Sequence, residues 1–264
     1  RWWFYSVGLF LIIGVTLFGA ILLWRDTRRE VQMAETRSRF VSAVSHELKT
    51  PLTSIRMFAE TLHEGGTVAE EAQGEYLETI VNESERLTRL LNNVLDFSKI
   101  ERGKKTYQRE RQSLEAIVRF TARAMQYPLE QKRFRLRVEI DDNVPPPRVD
   151  RDAIEQSILN LLANAMKFSG ESRDIDLRLR SDGEYAVIEV VDRGIGIEPE
   201  EVPRIFDRFY RVSGPQNDRI PGTGLGLTLV QHIAEAHDGR VEVESVPGEG
   251  TTFYLYIPLN GADG

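Results

Sequence analysis

Two stretches of this chain repeat small or apolar residues at alternating steps of three and four. The first is Val31, Ala34, Ser38, Val41, Ser45, Leu48, Leu52 and Ile55; the second is Leu77, Ile80, Ser84, Leu87, Leu91, Val94 and Ser98. This spacing is a heptad seam, and it commits each stretch to a long helix with one face to bury. The pattern predicts one helix over 26–64, ended by Gly65-Gly66, and another over 70–100. Joined by a short loop, they make an antiparallel hairpin. A hairpin this thin cannot cover both seams alone. The expected assembly is therefore a parallel homodimer, two hairpins forming a four-helix bundle.

The first helix carries Ser45-His46-Glu47-Leu48-Lys49-Thr50-Pro51-Leu52. His46 stands one place off the seam, so its ring should project toward water. Pro51 lacks a backbone donor and crowds the Glu47 carbonyl, which predicts a bend one turn past the histidine. An exposed neutral imidazole is a nucleophile, and the adjacent carboxylate can orient it and take up its proton. A solvated histidine on a coiled coil is the plainer reading of this stretch alone.

Upstream, 2–24 contains no charged residue. As a helix it would span about 34 Å, enough for a hydrocarbon core of about 30 Å. Trp2, Trp3 and Tyr5 sit at one end and Trp24 at the other, as interfacial belts do, and Arg25, Arg28 and Arg29 follow. The expectation is a span of the inner (cytoplasmic) membrane with everything after Trp24 in the cytoplasm. Residue 1 is arginine, so further chain is expected upstream. The net charge of −7, from 34 basic and 41 acidic residues, argues against a nucleic-acid binder. Without cysteine there are no disulfides and no thiolate metal sites.

Beyond about residue 101 the heptads give way to mixed signals. A linker around 101–107 leads to a helix over 113–127 capped by Ser113. A strand over 134–140 follows, and Pro145-Pro146-Pro147 breaks the chain. Asp150 then caps a helix reaching Phe168. Strands are predicted over 175–180, 185–191, 240–245 and 251–257, with a helix over 225–237. Helices and strands alternate, which implies a sheet with helices packed on one face.

Three stretches in this half suit phosphate chemistry. On the helix ending at Phe168, Asn160, Asn164 and Lys167 share one face, opposite Ile154, Ile158, Leu161 and Ala165. Amide oxygens are hard ligands suited to Mg²⁺, and lysine suits phosphate; an ordinary polar helix face is the alternative. Asp192-Arg193-Gly194-Ile195-Gly196 follows a strand. Its glycines let a flat ligand approach the backbone, and Asp192 can accept from an exocyclic amine, although a plain glycine turn reads equally well. Gly222-Thr223-Gly224-Leu225-Gly226 opens a helix whose backbone amides can meet phosphate. It is neither a dinucleotide fingerprint nor a Walker A loop. The turn-rich stretch 212–221 before it reads as a flap. In Phe206-Asp207-Arg208-Phe209-Tyr210-Arg211 the aromatics should pack and both Arg208 and Arg211 stay free for phosphate. His63, His232 and His237 read as structural, His237 favouring a helix C-terminus through its charge.

In this order the stretches resemble the sensor histidine kinases of two-component systems. His46–Leu52 looks like their phosphoacceptor box, 160–168 their N box, 192–196 their G1 box, 206–209 their F box and 222–226 their G2 box. The resemblance covers about residues 38–258. It implies an α+β chain. Residues 1–25 would be a transmembrane helix and 26–37 a signalling helix. A dimerising phosphotransfer hairpin would occupy 38–102 and a linker 103–110. Residues 111–260 would form an ATP-binding α/β sandwich of the gyrase and heat-shock ATPase type. His46 would accept phosphate, Glu47 act as its acid/base partner, and Thr50 position water for phosphatase activity. Asn164 would ligate Mg²⁺, with Asn160 beside it on the nucleotide. Lys167 and Arg211 would meet phosphates, Phe168 the nucleoside and Asp192 the adenine amino group. Gly194 and Gly196 would shape the adenine wall, and Gly222, Thr223, Gly224, Leu225 and Gly226 the phosphate end. The partner would be a response regulator supplying an aspartate in trans. Two departures stand out: there is no room for a HAMP domain before the hairpin, and Phe168 replaces a frequent tyrosine. A non-catalytic ATP-binding scaffold and a phosphate-releasing ATPase are the rival readings.

Overall fold

A computed structural model of the protein describes residues 2–63, 70–212 and 222–259. Helix α1 runs unbroken over Trp2–His63 and α2 over Glu70–Glu101. Pro51 is accommodated within α1 and is buried. The predicted stop at Gly65-Gly66 and the flap over 213–221 lie outside the described residues. Among the described residues, no helix is long and apolar enough to cross a membrane. The expected span rests largely on side chains at 2 and 4–13, which also lie outside them.

The two long helices pack on each other, and α2 carries a pronounced apolar stripe. Within one chain the seams are only partly covered: Val41, Leu52, Leu77 and Leu91 remain exposed. The prediction that a lone hairpin leaves its seams unsatisfied describes these positions well.

The C-terminal half is a five-stranded sheet in the order β2-β4-β5-β7-β6, from β2 (Arg135–Ile140), β4 (Asp174–Ser181), β5 (Tyr185–Asp192), β6 (Arg240–Val246) and β7 (Gly250–Pro258). Only β2 and β4 are parallel; the other pairs are antiparallel. Alternation sends Ile175, Leu177, Leu179, Ile188, Val190, Phe253, Leu255 and Ile257 to one face, all buried. Helices α3 (Leu114–Gln131), α4 (Arg151–Phe168) and α5 (Gly226–Ala236) bury their own apolar sides against this face, as predicted. The opposite face carries ion pairs, such as Arg178 with Glu139 at 2.9 Å and Arg180 with Glu189 at 3.2 Å.

The caps behave as their chemistry requires. Ser113 and Asp150 each accept from the backbone N–H three residues on, at 3.2 and 3.1 Å. Helix α3 continues past the predicted end at Tyr127 to include Pro128. The proline removes one helical bond near the end, and burial of Leu129 at 2 % exposure in the core keeps the last turn wound. A two-stranded pair, β1 (Glu110–Arg111) with β3 (Arg148–Val149), was not predicted: it is too short to show alternation.

Candidate functional site

Burial of Ile154, Ile158, Leu161 and Ala165 turns the other side of α4 outward. Asn160 and Asn164 lie there half-buried, and Lys167 is exposed. Asn160 Oδ1 accepts from Asn93 Nδ2 of α2 at 3.3 Å, while its own Nδ2 is buried with no partner among the described residues. The Lys167 ammonium sits at the G2 stretch: a Cβ placed on Gly222 would lie 2.7 Å from Nζ. Loss of water there lowers the Lys167 pKa. Glu47 on the hairpin opposes the shift, and Arg211 and Arg86 add to it. A Cβ on Gly226 would lie 3.5 Å from Asn160 Oδ1, so the polar side of α4 and the start of α5 are neighbours.

Asp192 closes β5 and is buried, with its Oδ1 accepting the Gly194 N–H at 2.9 Å. Burial pushes its carboxyl up to about 6, against the backbone amides of Gly194 and Thr251, which favour the ionised form. The turn is pinned to the end of α4, where the Phe168 carbonyl accepts the Ile195 N–H at 3.0 Å. A side chain on Gly194 would collide with that carbonyl. Gly196 has φ +68°, and its would-be side chain meets the Val246 carbonyl. The glycines therefore serve close backbone approach, whatever ligand they also admit. Arg193 leaves the turn on the other side and pairs with buried Asp176 at 2.8 Å.

The F-box aromatics pack, as expected. Phe206 meets Phe253 at 6.4 Å between centroids, and Phe209 meets Phe97 of the hairpin at 5.0 Å. Arg208 departs from expectation: it pairs with Glu101 at the end of α2, because the F box lies against the hairpin base rather than facing an open cleft. Arg211 is exposed, but it too has an interaction partner. Leu225 is wholly buried with Phe97 and Leu229, so its side chain packs between the two halves. Only its backbone N–H, now donating to Thr223 Oγ1 at 3.4 Å, is left for a ligand. Gly224, at φ +71°, backs onto the Phe209 and Tyr210 backbone.

On the hairpin, His46 and Thr50 are exposed, as predicted for His46, and the Thr50 hydroxyl donates to the His46 carbonyl at 3.3 Å. Glu47 turns inward to 11 % exposure, and Oε2 accepts from Arg86 Nη2 at 3.3 Å. The two halves are tied by polar contacts that the sequence reading missed. Gln156 Nε2 donates to Asn93 at 2.9 Å and to Asp96 at 3.2 Å, and Asp96 also holds Lys105 at 2.7 Å. The legible signal was a polar pair, Asn93 and Asp96, just before Phe97 inside an apolar repeat.

His237 corrects an expectation. Its Nε2 accepts the Asp150 N–H at 3.0 Å and its Nδ1 faces the Ile233 carbonyl at 2.7 Å, so it must be neutral. Burial lowers its pKa, and no helix-dipole charge is involved. Two surface cavities lie away from the glycine stretches. One, of about 540 Å³, borders Arg137, Asp176 and Arg193 on the outer sheet face; the other, of about 380 Å³, lies between α2 and α5.

The donor set suits Mg²⁺ with a nucleotide. Asn164 on the outward face of α4 offers an amide oxygen to the cation, the buried Asn160 Nδ2, without a partner among the described residues, can donate to a nucleotide oxygen, and a glycine cradle stands opposite.

Comparison with known proteins matches two families. Residues 36–103 fit the His Kinase A (phospho-acceptor) domain, and 149–261 the histidine kinase-, DNA gyrase B- and HSP90-like ATPase. Drug sensory protein A of Synechocystis sp. is 39% identical over 254 residues, covering 92% of this chain and 38% of that protein. Sensor histidine kinase WalK of Bacillus subtilis is 34% identical over 247 residues, covering 91% of this chain and 39% of that protein. The chain thus spans about two fifths of the length of these relatives. Among solved structures, ShkA in complex with AMPPNP aligns with a TM-score of 0.58 at 25% identity, over 84% of this chain and 45% of that one. Acinetobacter baumannii AdeS aligns at 0.57 and 23% identity, over 82% of this chain and 98% of that one, a likeness of fold.

Proposed function

The chain belongs to the histidine kinases of two-component systems, and we propose that it is a membrane-anchored sensor kinase that phosphorylates its own His46 from Mg-ATP. The phosphoryl group then passes to an aspartate of a response regulator in trans. The reading rests above all on the run of contacts that joins Asn160 to Gly226, Lys167 to Gly222 and Phe168 to Gly194, with Glu47 of the hairpin in the electrostatic field of Lys167. That run gathers the N, G1 and G2 stretches along one side of α4 and turns it toward the hairpin.

Asp192 accepts from the adenine amino group, and Gly194 and Gly196 keep the base close to the backbone. Lys167 and Arg211 meet phosphates, as do the amides at 222–226. Phosphoryl transfer needs in-line placement and charge neutralisation more than covalent help. Mg²⁺, when bound by Asn164 with Asn160 beside it, supplies further neutralisation of phosphate charge. In the transfer, one ring nitrogen of His46 bonds to the γ-phosphorus as the bond to the ADP oxygen breaks. The proton on the other ring nitrogen passes to Glu47. Thr50, one turn on and exposed, would orient water in a phosphatase reaction on the regulator.

The anchor is part of the same proposal. Over 14–24 every described residue but Gly19 is exposed, with Val15 at 69 %, Phe18 at 64 % and Leu23 at 70 %. An apolar surface of that kind needs lipid or protein around it. The hairpin and the catalytic half would then lie on the cytoplasmic side of the inner membrane, beyond Arg25. The test is to incubate the full chain in lipid nanodiscs with labelled ATP and Mg²⁺ and map the modified residue. Acid-labile label on His46, lost in His46→Gln, is expected; steady phosphate release that survives His46→Gln would favour a plain ATPase.

A further inference from the structure

Neighbouring residues on a helix diverge by about 100°, so Glu47 does not face His46 by default. Something must fix where its carboxylate points. Seam packing turns Glu47 into the hairpin, to 11 % exposure, where an unpaired carboxylate would be unfavourable. The group that meets it is Arg86 of α2, with Nη2 3.3 Å from Oε2. Arg86 is itself held on its other side, Nη1 lying 3.3 Å from Glu83 Oε2. A planar guanidinium gripped at both ends is a fixed reference point rather than a mobile counter-ion. With Oε2 taken, Oε1 is the oxygen left for the imidazole.

We propose that Arg86 is the positioning residue for phosphorylation of His46: by holding Oε2 of Glu47 it presents Oε1 to receive the ring proton. The inference rests on the kinase reading above and adds to it a residue that none of the glycine or asparagine motifs contains. Arg86 bonds Glu47 and Glu83 rather than the imidazole; it acts through Glu47. With Glu47 it also contributes to the field at Lys167 on α4. Glu47 is thereby set from within its own subunit, across the hairpin, before any regulator arrives.

The experiment measures initial labelling of His46 at saturating Mg-ATP in the full chain in nanodiscs, with nucleotide affinity read separately from a fluorescent ATP analogue. Arg86→Gln should slow labelling by about tenfold or more, within the range of lost general-base catalysis, with affinity changed by less than about twofold. Arg86→Lys, which keeps the charge but not the fork, should recover part of the rate. The decisive arm is the double variant. If Arg86 acts through Glu47, Arg86→Gln adds nothing further to Glu47→Gln. A purely structural role would instead make the two losses add, and that result overturns the proposal. So does a rate in Arg86→Gln within about twofold of the parent, or a loss confined to affinity. An inert Glu47→Gln removes the base assignment and this role with it. A parent chain that binds the analogue but never labels His46 refutes the kinase reading itself, which is a separate and visible failure.

Discussion

Asp192 has its carboxyl raised by burial from 3.8 to about 6, so at pH 7 the folded domain holds an ionised acid against its own environment. The difference corresponds to about 3 kcal/mol of stability forgone at neutral pH. The sign follows from proton binding. The folded form takes the proton more readily than the unfolded chain, so this contribution makes the domain more stable as pH falls from about 6 toward 3.8. Asp192→Asn removes the charge, and its Oδ1 can still accept the Gly194 N–H. It should therefore raise the melting temperature at pH 7 by several degrees, measured by calorimetry without nucleotide. On the proposed adenine contact, the same change should weaken ATP binding, because the amino group would lose an anionic acceptor. Titrated in the parent chain, ATP affinity should be flat above pH 7 and fall as pH drops through about 6, whereas in Asp192→Asn the dependence should disappear. Stability and binding moving in opposite directions would identify Asp192 as a ligand residue rather than a core one. Uniform loss of both would contradict it.

At the scale of elements, the start of α4 is a junction. Asp150 caps the helix through Oδ1, accepts the Gln108 N–H through Oδ2 at 2.8 Å, and donates its own N–H to His237 at the end of α5. The linker, the site-bearing helix and the helix behind the G2 stretch thus meet at one residue. Asp150→Ala should cost about 2 kcal/mol or more, a cap plus a second hydrogen bond, read as reduced denaturant midpoint of the catalytic half. His237 gives the junction a pH response. Its lowered pKa means that stability is full above the unfolded value of 6.5 and declines as pH falls below it, because protonating Nε2 ejects the Asp150 N–H. His237→Gln should flatten that decline between about pH 7 and 5.5, against the opposite slope from Asp192 at lower pH. The sequence foretold the Asp150 cap, because an aspartate three residues before a buried face is a local signal. It did not foretell the junction, since Gln108, Asp150 and His237 are brought together only by tertiary packing. The same divide runs through the site. Helical period alone gave the shared face of Asn160, Asn164 and Lys167. The burial of Leu225 under Phe97 and the capture of Arg208 by Glu101 depend on how the halves dock, and no local pattern encodes that.

For the whole molecule, the hairpin is where architecture and chemistry are coupled. Leu91 on α2 and Val41 and Leu52 on α1 stay between 49 and 60 % exposed in the single chain, although all three are seam positions. Each such side chain, already about half covered, would gain about 1 kcal/mol on full burial, so several of them together favour a second hairpin laid against this face. Phe97 and Val94 show the contrast, since on the side of α2 turned to the catalytic half Phe97 is already buried against Phe209. Besides α1 and its own catalytic half, the helix keeps one apolar direction uncovered, the direction that a second copy would fill under the dimer proposal. Leu91→Glu places a charge in that direction without touching the contact with the catalytic half. Sedimentation of the detergent-solubilised chain should then shift from dimer to monomer, while hydrogen exchange at 225–236 stays protected because the contact with Phe97 survives. If Glu47 and Arg86 need the bundle to hold α1 and α2 in register, labelling of His46 should fall with dimerisation, and a dilution series of the parent chain should trace the same curve. A Leu91→Glu chain that remains dimeric would place the dimer interface elsewhere. A monomer that still labels His46 at the parent's rate would show that one hairpin alone keeps the acceptor in working order.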